Sequence, residues 1–170
     1  MELPNNTHNS EAAKQMEFAE GFNPELTTEE KLQAAAEFDD LVQSTLLRFA
    51  EDVITDDSNM AGCHSLDLVL SQKDGSEVSV GVHSSESLDD GSKSRGISLE
   101  ERGTGEYHWY YIEDGLVLRY DDNTSSYLGR GDGIEDVADI MNSKLEQNRQ
   151  PVGVDEMHKL AELLESAKPV

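Results

Sequence analysis

Residues 105–120 read Gly-Glu-Tyr-His-Trp-Tyr-Tyr-Ile-Glu-Asp-Gly-Leu-Val-Leu-Arg-Tyr, and the Asp114-Gly115 pair within them constrains the chain more than any other feature. Asp-Gly between two runs of aromatic, aliphatic and β-branched residues is a strong hairpin signal, because the favoured two-residue turn needs positive φ at both central positions. With that turn Tyr111 faces Leu118 and Trp109 faces Tyr120, so Tyr107, Trp109, Tyr111, Leu116, Leu118 and Tyr120 share one side. The other side carries His108 across from Asp121, Tyr110 across from Arg119 and Ile112 across from Val117. A three-residue turn would set Trp109 opposite Arg119, and the two-residue register is preferred because it gathers more aromatic surface on one face. That aromatic face is assigned to the core. His108, Tyr110, Arg119 and Asp121 are then the exposed binding candidates of the hairpin.

A second hairpin precedes it. Leu66, Leu68 and Leu70 alternate with more polar neighbours, as do Val78, Val80 and Val82, around Lys73-Asp74-Gly75. A two-residue loop would set Leu70 opposite Ser79, whereas a three-residue loop sets Leu70, Leu68 and Leu66 opposite Val78, Val80 and Val82. Since a slip of one residue inverts the faces, the three-residue loop with Gly75 in the left-handed region is expected. Residues 84–96, rich in serine, aspartate and glycine, are expected to be a long exposed loop. Ile97 and Leu99 open a further strand that ends at Gly103-Thr104-Gly105.

Helices flank the strands. Thr27 followed by Glu30 matches the capping box, and Leu32, Ala35, Ala36, Val42, Leu46, Phe49, Ala50 and Val53 recur at helical spacing as far as Ile54. Phe38, Leu41 and Leu47 widen that stripe. One flank is therefore expected to meet a second helix or another subunit, with Phe38 and Leu41 as binding candidates. Ile134, Val137, Ala138, Met141 and Leu145 mark another helix, capped by Asp132, and Met157, Leu160, Ala161 and Leu164 a last one over 155–167. The expected architecture is a two-layer α+β domain over 27–168, an antiparallel sheet of about five strands with a long N-terminal helix and two C-terminal helices. Residues 1–26, polar and interrupted by Pro4 and Pro24, are expected to be a flexible N-terminal arm. In outline this order resembles the type III secretion chaperones, small acidic dimers, with the serine-rich stretch standing where those interpose a helix. The resemblance implies a homodimer.

Composition restricts the partners. The 36 acidic residues outnumber the 13 basic ones, for a formal charge of -23 spread along the whole chain. Such a polyanion repels phosphate backbones and anionic bilayers, so neither nucleic acid nor membrane is an expected partner, and a basic protein is. Cys63 stands alone, no apolar run approaches a membrane span, and the start lacks a signal-peptide pattern, so a cytoplasmic protein is expected.

Motifs for chemistry are sparse. His108 and Asp121 could orient an imidazole for acid or base work, but no nucleophile accompanies them by motif, so an ordinary cross-strand pair is the simpler reading. Asp121, Asn123, Ser125 and Asp132 fit a calcium-loop template without its glycine or final glutamate. No zinc spacing, nucleophile elbow or dinucleotide fingerprint occurs. No catalytic residue, metal or cofactor is expected. The first reading is a non-catalytic protein-binding domain, an adaptor, chaperone or inhibitor. The others are an acidic mimic of nucleic acid that blocks a basic DNA-binding protein, and a small hydrolase or metal-dependent enzyme using His108 and Asp121.

Overall fold

Alternation in the strands, carried from one ladder to the next, decides which side chains meet the helices. The computed structural model describes residues 26–56, 62–87, 89–123 and 149–170. In chain order the elements are α1 (Thr28–Arg48), a 3-10 turn (Ala50–Asp52), β1 (Ile54–Asp56), β2 (Cys63–Ser71), β3 (Glu77–Glu86), β4 (Lys93–Glu101), β5 (Glu106–Glu113), β6 (Leu116–Asn123), β7 (Arg149–Pro151), α2 (Val154–Glu165) and β8 (Lys168–Pro169). The strands form one antiparallel meander from β1 to β7, and β8 pairs with β2 beyond the end of β1.

Both expected hairpin registers are present. Leu70, Leu68 and Leu66 pair with Val78, Val80 and Val82. Gly75 has φ 90° in a turn where its amide donates to the Gln72 carbonyl. In the second hairpin Asp114 and Gly115 have φ 53° and 78°, both left-handed, and Trp109 pairs with Tyr120. The side-chain chemistry of these turns sets the registers locally.

α1 begins as the sequence implies. The Thr27 hydroxyl accepts from the Glu30 amide at 3.1 Å, and the Glu30 carboxylate returns to the Thr27 amide. The inward face of α1, however, is Ala34, Phe38, Val42, Thr45 and Leu46. Leu32 and Leu47 point outward. The helix ends at Arg48, short of the expected Ile54, and Ile54 enters an edge strand. Arg48 donates to the Leu164 and Glu165 carbonyls, tying the end of α1 to the end of α2.

Several expectations are corrected. Among the described residues there are eight strands and two helices, one N-terminal and one C-terminal, rather than about five strands and three helices. β1, β7 and β8 are short edge elements with no apolar alternation to announce them. The serine-rich stretch is largely strand, since β3 and β4 pair out to Glu86 and Lys93 and only a short turn remains. Its inward residue Arg95 is buried and reaches Asp39 of α1 at 2.9 Å, so an ion pair replaces apolar packing at the margin of the core. Among the described residues no helix stands between β2 and β6, where the type III secretion chaperones interpose one. The helix expected at 134–145 and, apart from Leu26, the arm expected at 1–26 lie outside the described residues.

The core lies between α1, α2 and one sheet face, where Leu66, Leu68, Val78, Val80, Ile97 and Leu99 are essentially fully buried. Phe38 inserts among them with no exposed surface. Replacing Phe38 with Ala should therefore cost about 3–5 kcal/mol of unfolding free energy, whereas Leu47→Ala should stay within about 0.5 kcal/mol. Urea titrations followed by circular dichroism check the difference.

Candidate functional site

The β4–β5 ladder assigns the faces of the aromatic hairpin. Ile97 pairs with Tyr110 and Leu99 with His108, so His108, Tyr110, Arg119 and Asp121 continue the apolar face that the helices cover. The expectation that they form an exposed site is overturned. His108 is 4% exposed, Tyr110 0% and Arg119 1%, and only Asp121 is partly accessible. Trp109, Tyr107, Leu116 and Leu118 are half-buried on the opposite face, where Trp109 stacks on Tyr111 at 4.4 Å. Tyr111 and Tyr120 are buried even there. Phe38 is core and Leu41 is partly buried against it.

The four hairpin residues form a polar network with one partner that sequence reasoning missed, Glu156. His108 Nδ1 and Asp121 Oδ1 are 2.7 Å apart. The Arg119 Nε donates to Asp121 at 3.0 Å, and its Nη1 donates to both Glu156 oxygens at 2.7 Å. The Tyr110 hydroxyl donates to the same carboxylate at 2.7 Å. Glu156 is wholly buried in the first turn of α2. Its position was legible, because Glu156, Leu160, Leu163 and Leu164 share one stripe at spacings of four, three and one.

Electrostatics follow from depth. Burial pushes the Glu156 carboxyl above the ordinary carboxylate range, against the pull of Arg119 and Tyr110. Burial and the adjacent Glu156 hold the Tyr110 phenol well above its usual value. Burial works against the Arg119 charge, but Glu156 and Asp121 outweigh it and keep the guanidinium protonated. His108 Nε2 and Arg119 Nη2 are buried without a hydrogen-bond partner. A network so enclosed orients α2 on the sheet and holds its imidazole away from solvent. Among the described residues no group of His, Cys, Asp or Glu is arranged to hold a metal ion.

The second feature is an open groove of about 340 Å³ at the β1 edge of the sheet. Leu46, Leu47 and Ala50 form its helical wall, with Gln43 beside them, and Val53, Thr55 and His64 complete it. Thr55 pairs with His64 across the β1–β2 ladder, and their side chains meet at 3.1 Å. Leu47 is 78% exposed and Ile54, on the other side of β1, 62%. Sequence reading singled out Leu47 as surplus apolar surface, but the edge strand that completes the groove carries too short a pattern to be seen.

No family model matches the sequence, and neither a curated protein nor a solved structure matches the chain. Among the described residues no helix is long and apolar enough to cross a membrane.

The buried ion pair generates a sharp mutational test. Glu156→Gln leaves the Arg119 charge without its main partner and should cost about 3–5 kcal/mol. Replacing both groups, as Glu156→Leu with Arg119→Met, should recover most of that loss, since paired apolar groups need no compensation. Denaturant midpoints of the single and double variants give the comparison.

Proposed function

We propose that the chain is a non-catalytic protein-binding domain, acting as an adaptor, chaperone or inhibitor, whose partner is basic. The observation that carries this reading is the groove at the end of α1, where apolar surface is open to solvent beside acidic residues. Leu47 stands 78% exposed in its wall, and Glu51 and Asp52 are exposed on the turn that follows. An exposed apolar patch rimmed by charge is the usual form of a protein contact.

Charge supports the same partner. Each arginine among the described residues is engaged within the fold: Arg48 by carbonyls of α2, Arg95 by Asp39, Arg102 by Glu77, Arg119 by Glu156 and Arg149 by Glu113. The excess of 36 acidic over 13 basic residues therefore sets an outward field that draws cations and repels phosphate. The enclosure of His108 argues for a structural role of its pair with Asp121 rather than for hydrolysis. A single thiol suits the reducing cytoplasm, where we place the protein.

The test is retention of proteins on the immobilised chain. Cationic proteins should be retained, and the Leu47→Ser variant should weaken their binding by about tenfold or more. Leu32→Ser, at a residue 54% exposed on the same helix, should leave it unchanged. Equal retention by the parent and the groove variant, or none by either, removes this reading.

A further inference from the structure

The sheet has three edge segments, and they are not equivalent. β7 carries Arg149 and Pro151, and β8 carries Lys168 and Pro169. Proline cannot donate to a ladder and a cation resists burial between strands, so these are the devices by which proteins prevent edge pairing. β1 reads Ile-Thr-Asp, lacks both proline and lysine, and has all three residues exposed. Among the described residues no strand lies on its outer side. The groove opens beside this strand alone, since Thr55 and His64 on the helix side of β1 and β2 form part of its lining.

We infer that β1 accepts an extended segment of the basic partner as an added strand, with alternate apolar side chains in the groove and alternate basic side chains on the opposite face. The inference rests on the protein-binding reading and specifies its mode. A strand placed beyond β1 has a period of two, so every second side chain falls on the helix side, against Leu47, Ala50 and Val53. The intervening side chains fall on the side of Ile54, Asp56 and the exposed Asp67. Carboxylates there select lysine or arginine. Glu51 and Asp52 add negative charge at the helix end of the groove.

Charge also excludes the simplest competitor. A second copy placed antiparallel on this edge would bring together two acidic edges, each with Glu51, Asp52 and Asp56, on chains that each carry a charge of -23. Two such like-signed fields repel. The three residues of β1 supply few ladder bonds, so the apolar anchors in the groove are needed for affinity.

The experiment uses the full chain and two synthetic peptides of about nine residues, one alternating lysine with valine and one alternating lysine with serine. Titrations are run at about 0.15 M and about 0.5 M salt to separate screened attraction from contact. The valine peptide should bind at least about tenfold more tightly than the serine peptide, and Leu47→Ser should abolish the difference. N-methylation of one alternate set of residues should remove binding and of the other set should spare it, because only every second amide faces the β1 edge. Valine-dependent binding that neither methylated set disturbs would overturn strand addition and leave the groove as a docking site of another geometry. Equal binding of both peptides, lost at higher salt, or no binding of either, would also overturn the inference. If groove-dependent retention of cationic proteins persists in either case, the protein-binding reading stands without it, and if that is absent too, both fall.

Discussion

A two-residue alternation propagated through successive antiparallel ladders is the constraint on which the structure depends. Leu66, Leu68 and Leu70 fix the helix-facing side of β2, and pairing transmits it through Val80 and Leu99 to His108. A slip of one residue anywhere would turn the apolar face outward beyond that point. Turn chemistry guards against this at both ends, with Gly75 and the Asp114-Gly115 pair in left-handed conformations. Close backbone approach helps in the middle. A β-carbon on Gly96 would collide with the His83 ring, so the absence of a side chain there lets the ring lie across β4.

The same alternation forces polar groups inward. Once β5 is registered on β4, His108, Tyr110 and Arg119 have no choice of face, and their desolvation must be offset by partners. Glu156 supplies the main one, from a helix whose remaining inward residues are Met157, Leu160, Leu163 and Leu164. An isolated buried guanidinium would cost several kcal/mol, and a close pair, here one nitrogen shared by both carboxylate oxygens, roughly cancels that cost rather than yielding net stability. What the pair gains is placement. Two oxygens at 2.7 Å from Arg119 Nη1, with the Tyr110 hydroxyl on one of them, leave α2 a single seat on the sheet.

Legibility in the sequence follows the range of the forces. The capping box at Thr27 and both hairpin registers were readable, because each is decided by residues only a few positions apart. The face of the aromatic hairpin was not. Its own strands offered a richer apolar side in Trp109, Tyr111, Leu118 and Tyr120, and only the pairing of Leu99 with His108 shows that the helices take the other. The phase of α1 failed for a related reason, since Leu32 and Ala36 fit a helical stripe as well as Ala34 and Phe38 do until the sheet is in place. The short edge strands escaped because two or three residues, two of the strands ending in proline, carry no period. Glu156 was missed as well, although its spacing to Leu160, Leu163 and Leu164 puts it on the inward stripe of α2.

The distribution of cations then joins fold to surface. Arg48, Arg95 and Arg119 tie helices to each other or to the sheet, Arg102 at the end of β4 reaches Glu77 on neighbouring β3, and Arg149 on β7 reaches across β6 to Glu113 of β5. These charges are committed to holding elements together, and 36 acidic residues against 13 basic ones leave a net excess of carboxylates. Self-repulsion among them opposes compaction and is tolerated only while the core and the internal pairs outweigh it. A cationic segment laid along the β1 edge would relieve part of that repulsion while covering Leu47. In the proposed strand addition, binding at that place would therefore stabilise the fold as well as the complex, and the acidity and the exposed groove would act as two parts of one arrangement.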